Sequence, residues 1–199
     1  MSKQIVIIHG GMYFETYEEY LEYLRSYRLD KETLKWCGWE KKIQSELGSE
    51  YEVILPTMPS KYNAKYREWK IWFEKLFPLI HDGVILIGKS LGGIFLAKYL
   101  AENDFPKKIK AVFLIAPPFE ATPFESLGDF QLPESLVRLE KQAVKIFLIY
   151  SEDDPVIPFS HLGKYKAKLK RARKIVFKDR GHFKLEQFPE IIELIKGIR

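Results

Sequence analysis

Six short runs rich in β-branched and aromatic residues, at 4–8, 51–55, 83–87, 111–115, 145–150 and 174–177, recur along the chain with helix-like stretches between them. Near-continuous apolar runs of this kind belong to parallel strands buried on both faces. The amphipathic stretches at 36–47, 64–77, 91–102, 133–142 and 159–170, with a last one at 185–198, supply the covering helices. Alternation of strand and helix requires right-handed crossovers, so the expected architecture is a doubly wound α/β sheet with helices on both faces. The chain of 199 residues shows no internal repeat, low-complexity tract or linker rich in Gly, Ser or Pro, and reads as one domain, 1–199.

Two segments depart from the alternation. Residues 14–33 carry Tyr17, Tyr20, Leu21, Tyr23, Leu24 and Tyr27 and read as an inserted aromatic helix. Residues 117–132 place Phe119, Phe124, Leu127 and Phe130 among prolines, longer than an ordinary strand-to-helix connection. With the helix that follows, 117–142 is expected to form a short lid.

The formal charge of +5 is concentrated at 164–174, where Leu162, Tyr165 and Leu169 recur at helical spacing. That segment reads as a solvated helix face rather than a nucleic-acid surface. The single cysteine, Cys37, excludes an internal disulfide and offers no metal-ligand cluster. The apolar run at 5–8 is too short for a signal-peptide core, and no stretch is long enough to span a membrane, so the expected compartment is the cytoplasm.

Chemistry enters at the third run, where Gly88, Lys89, Ser90, Leu91 and Gly92 join a strand to a helix as G-x-S-x-G. A nucleophile elbow forces one serine into a strained turn, and the residues two positions to either side must be small. The turn lifts the hydroxyl above the carboxyl end of the sheet, at a helix N-terminus whose free N–H groups favour negative charge. Gly83 with Gly88, Lys89 and Ser90 also spells the P-loop pattern. Val84 to Ile87 contradict that reading, because a phosphate-binding loop has no place for a buried apolar strand.

A nucleophilic serine needs a base and a carboxylate to orient it, and both follow later strands. After 145–150 comes the acidic turn of Glu152, Asp153 and Asp154, and after 174–177 comes Gly181 with His182. Both loops fall on the carboxyl edge of the sheet, where ligands and catalysts collect. His9 lies after the first strand, His81 before a strand and His161 at a helix start, so His182 alone fits a base by position.

The order Ser90, acid, His182 is that of the α/β-hydrolases, and the chain resembles that superfamily in four places: 88–93, His9 to Gly11, Asp154 to Pro158, and Gly181 to Phe183. Its size resembles that of the compact, cap-less serine hydrolases related to retinoblastoma-binding protein nine and their bacterial relatives. Two departures are Lys89, where such proteins usually carry histidine, and the insertion at 14–33.

The resemblance implies a three-layer sandwich with a six-stranded, mainly parallel sheet in the order 2-1-3-4-5-6. It implies a Ser90, His182, Asp154 triad, since Asp154, Ile157 and Pro158 fit the family's acid turn in register; Asp153 stays the alternative acid. The oxyanion donors it implies are the N–H groups of Leu91 and Met12, with Gly11 as the alternative to Met12. The expected activity is a carboxylesterase-like hydrolysis of a small ester or related acyl compound, with no cofactor, metal, nucleic acid or membrane partner. An apolar acyl pocket is expected from Tyr13, Phe14, Phe119, Phe124 and Phe130. The competing expectation is a binding or scaffold protein on the same fold.

Overall fold

A computed structural model of the chain describes residues 2–35, 37–122 and 126–198. Strand β1 (Lys3–Ile8) leads through helices α1 (Tyr17–Ser26), α2 (Lys31–Lys35) and α3 (Trp39–Leu47) to β2 (Tyr51–Ile54). Then α4 (Tyr66–Glu74) precedes β3 (Val84–Lys89), and α5 (Leu91–Glu102) precedes β4 (Ile109–Ile115). The chain ends with α6 (Val137–Gln142), β5 (Ala143–Ser151), α7 (Ser160–Lys168), β6 (Arg173–Phe177) and α8 (Pro189–Lys196).

The six strands form one sheet in the order β2-β1-β3-β4-β5-β6, and every neighbouring pair is parallel. The order matches the expectation, and the sheet is wholly rather than mainly parallel. Alternate residues of the central strands feed two separate cores. Val6, Ile8, Leu86, Val112 and Leu114 face α4, α5, α6 and α7, while Ile5, Ile7, Ile85, Ile87 and Phe113 face α3 and α8. This two-sided burial is why the strands lack alternation in sequence. It also makes Val84 to Ile87 part of a buried strand, incompatible with a phosphate loop.

Helix α5 is apolar nearly all round because it lies in the densest part of the first core. Phe95 meets Tyr66, Trp69, Phe73 and Tyr99, with ring centroids 5.4–6.1 Å apart. Of the basic helix α7, Leu162 and Tyr165 are buried, as is Leu169 just beyond it, and the lysines project outward.

Several expected boundaries move. The helix foreseen at 64–77 stops at Glu74, and a 3-10 turn at Phe77–Leu79 contains Pro78, which cannot continue an α-helical ladder. Trp36, expected to open the helix at 36–47, lies outside the described residues; the helix begins at Trp39. The insertion at 14–33 is two helices rather than one. Thr16 starts the first with a capping box: its hydroxyl accepts the Glu19 N–H, and the Glu19 carboxylate accepts the Thr16 N–H.

The expectation of a lid at 117–142 is corrected for the described part of that segment. Leu127 and Phe130 are fully buried in the first core, and the Asp129 carboxylate accepts the Tyr66 N–H at 3.0 Å at the start of α4. Apolar burial turns this stretch into a core plug. Among the described residues no helix is long and apolar enough to cross a membrane.

The aromatic cluster around α5 yields a stability expectation. Phe95→Ala should cost about 3–5 kcal/mol, as for other fully buried aromatics. The measure is the midpoint shift in urea unfolding; a change below about 1 kcal/mol would show that the cluster collapses around the cavity.

Candidate active site

The carboxyl ends of β1, β3, β5 and β6 bring the predicted residues together. Ser90 follows the last residue of β3 with φ 52° and ψ −122°, a conformation that a side chain rarely adopts and that the surroundings must impose. A Cβ on Gly92 would lie 2.2 Å from the Ile8 carbonyl oxygen, and one on Gly88 would lie 2.4 Å from the Gly92 carbonyl oxygen. The two glycines therefore let β1, β3 and α5 close around the serine. The Ser90 N–H donates to the Ile115 carbonyl at 2.8 Å, tying the turn to β4.

The Ser90 hydroxyl stands 2.9 Å from Nε2 of His182, and Nδ1 of His182 stands 2.8 Å from Oδ2 of Asp154. In the matching tautomer, Nδ1–H donates to the carboxylate and Nε2 accepts the serine hydroxyl. The Asp154 side chain is fully buried and that of His182 one-fifth exposed. The other oxygen of Asp154 accepts the N–H groups of Val156 and Ile157, at 2.8 and 3.0 Å, so its turn fixes the carboxylate's aim.

Asp153, the alternative acid, points elsewhere. Its Oδ1 accepts the Ser151 hydroxyl and the Gly181 N–H, while the Ser151 oxygen accepts the Arg180 N–H at 2.9 Å. The bond from Ser151, with further help from the Gly181 N–H, holds its carboxyl below the ordinary aspartate range. Asp153 thus clasps the loop that carries His182. The same loop is braced from below by Phe183, fully buried at φ 51° with its ring against Phe177 and Phe188. Sequence reasoning missed the roles of Ser151 and Phe183. The one available signal was an apolar residue placed directly after a loop histidine.

The three backbone groups expected around an oxyanion are not equivalent. Leu91 opens α5, where the first N–H groups have no intrahelical partner. The Met12 N–H, by contrast, already donates to the Lys61 carbonyl at 2.8 Å, and the Met12 carbonyl accepts the Ala64 N–H. Gly11 lies outside that bridge, whereas the Met12 N–H is already engaged.

Two further histidines are held neutral. His9 accepts the Met58 N–H at Nε2, and His161 accepts the Phe119 N–H at Nδ1. Burial lowers the pKa of His9, assisted by the charge of Lys61; burial and Lys164 do the same to His161. Neither is a free base.

The Ser90 and His182 side chains border a cavity of about 340 Å³, together with Gly10 to Met12, Tyr62 and three lysines. The aromatics expected to wall an acyl pocket are elsewhere: Phe130 is in the core, Phe119 packs on Tyr165, Tyr13 on Phe130, and Phe14 on Tyr20 and Tyr23. Phe124 lies outside the described residues. A larger hollow, about 640 Å³, lies between β5, β6 and α8 and contains none of Ser90, His182 and Asp154. Lys89 pairs with Glu40 at 2.9 Å, both mostly buried, so its charge is compensated. Among the described residues no group of three His, Cys, Asp or Glu side chains is placed to hold a metal ion.

A family profile described as serine hydrolase matches residues 36–196. The chain is 25% identical over 174 residues to the serine hydrolase RBBP9 of Rattus norvegicus, covering 85% of this chain and 89% of the rat protein. Its fold is similar to that of the Bacillus subtilis ydeN gene product, with a TM-score of 0.77 at 18% identity over 99% of this chain and 98% of the other. A putative YdeN-like hydrolase from Pectobacterium atrosepticum aligns with a TM-score of 0.67 at 15% identity, over 99% and 90% of the two chains.

Two outcomes are expected here. Gly92→Ala should destabilise the fold by roughly 3 kcal/mol or more, because backbone rather than a flexible side chain occupies the space; a urea midpoint near that of the parent would contradict the packing. Histidines with depressed folded pKa give their full stability above the unfolded value of 6.5 and lose it as pH falls below that value. Unfolding free energy should therefore drop between pH 7.5 and 5.5, and His9→Gln should flatten that slope.

Proposed function

Because the chain belongs to the serine hydrolase family, we propose that Ser90 is the nucleophile of an acyl transfer to water, with His182 as base and Asp154 as its orienting carboxylate. The observation that carries this reading is the unbroken line from Asp154 to His182 to Ser90, with contacts of 2.8 and 2.9 Å.

Ser90 Oγ attacks the carbonyl carbon of an ester while its proton passes to Nε2 of His182. The imidazolium is stabilised by Asp154, whose two turn N–H bonds keep it from rotating away. Negative charge developing on the carbonyl oxygen is received by the N–H groups of Leu91 and Gly11. What supports Gly11 over Met12 is the bond that already engages the Met12 N–H. Collapse of the tetrahedral intermediate breaks the bond to the alcohol, which takes the proton from Nε2. Water then attacks the acyl-enzyme, His182 accepts its proton, and the acid departs as the Ser90 hydroxyl is restored. Serine, imidazole, carboxylate and backbone dipoles are sufficient for every step.

The test is kinetic and covalent together. Ser90→Ala should lower kcat on a simple aryl ester by at least about 10³-fold and abolish labelling by a fluorophosphonate. Asp154→Asn should cost about 10⁴-fold, whereas Asp153→Asn, which keeps an acceptor for the Gly181 N–H, should cost about tenfold or less. Equal losses from the two would reverse the assignment. Folded protein that neither turns over esters nor takes the label would favour a binding protein on this fold.

A further inference from the structure

The cavity beside Ser90 has an uneven electrostatic lining. Among the described residues that line it are three lysines, Lys61, Lys89 and Lys184, and no aspartate or glutamate. The carboxylate of Glu40 compensates Lys89. Lys61 has a different neighbour, the ring of Tyr62, with Nζ 4.7 Å from the ring centroid. A ring face attracts a cation without neutralising it, so the ammonium charge stays available to a ligand. That charge is felt at the site itself, since it helps to depress the pKa of His9, the residue before Gly10.

We propose that the substrate carries a carboxylate besides the scissile ester, and that the Lys61 ammonium selects it. The inference rests on the acyl-transfer reading above and names the substrate class for that site. An ammonium on a flexible stem, without the planar fork of a guanidinium, suits a singly charged carboxylate. A cleft lined by one sign of charge also concentrates counter-charged ligands before they dock. The carboxylate is held and not consumed: the bond that forms is still Ser90 Oγ to acyl carbon, and the bond that breaks is still the ester's.

The experiment compares two esters of equal chain length, the mono-p-nitrophenyl ester of adipic acid and p-nitrophenyl hexanoate, which differ by a terminal carboxylate in place of a methyl. The expected ratio of kcat/KM favours the adipate ester by about two- to fivefold at low ionic strength, mostly through KM. High salt should bring it towards one. Lys61→Gln should reduce the ratio, Lys61→Glu should invert it, and Lys61→Arg should restore it, a pattern that a merely structural role for Lys61 would not give. Turnover of both esters that requires Ser90 but has a ratio near one, unmoved by these variants, would overturn the carboxylate inference alone. Folded protein that cleaves neither ester would overturn it together with the acyl-transfer reading.

Discussion

Everything at the carboxyl edge of the sheet depends on how closely α5 approaches β1. With Gly92 against the Ile8 and His9 carbonyls, the helix sits where no residue with a side chain fits, and the chain can reach that position only through Ser90 at φ 52°. Strain at one residue is offset by the cooperative packing of α5 among large aromatics on one side and three strands on the other. The serine is consequently held by the fold's most rigid part rather than by a loop. Its partners are delivered to it by loops that have to be fixed separately.

That fixing divides the work between adjacent acids. Asp154 faces the imidazole and is itself held by two backbone N–H groups of its turn, while Asp153 faces away and ties the end of β5 to the loop after β6. A one-residue change of position sends the side chains in opposite directions, so both loops gain an anchor from a single acidic turn. Phe183 completes the arrangement from the core side, where its ring keeps the histidine loop from lifting.

The architecture was legible because runs such as Val84 to Ile87 have one physical solution, a strand buried on both sides, and because their spacing leaves room for crossover helices. The meeting of Ser90, His182 and Asp154 was legible because each follows such a run. What could not be read was decided by contacts distant in sequence. The bond from the Met12 N–H to the Lys61 carbonyl spans about fifty residues and has no side-chain signature, so its engagement was invisible. Aromatic residues at 117–132 read as part of a short lid because the segment is longer than an ordinary strand-to-helix connection. Burial of Leu127 and Phe130 assigns that part to the interior. Tyr62, which borders the cavity, lies in an irregular stretch that no pattern marks.

Helix α1 buries none of its residues, yet Tyr17 and Tyr20 border a hollow that shares Lys61 and Tyr62 with the cavity beside Ser90. A segment that borders that hollow without supporting the interior can change its residues at little thermodynamic cost. Evolution can therefore retune which molecules are admitted by altering this arm, while the machinery beneath it and the folding of the whole stay as they are.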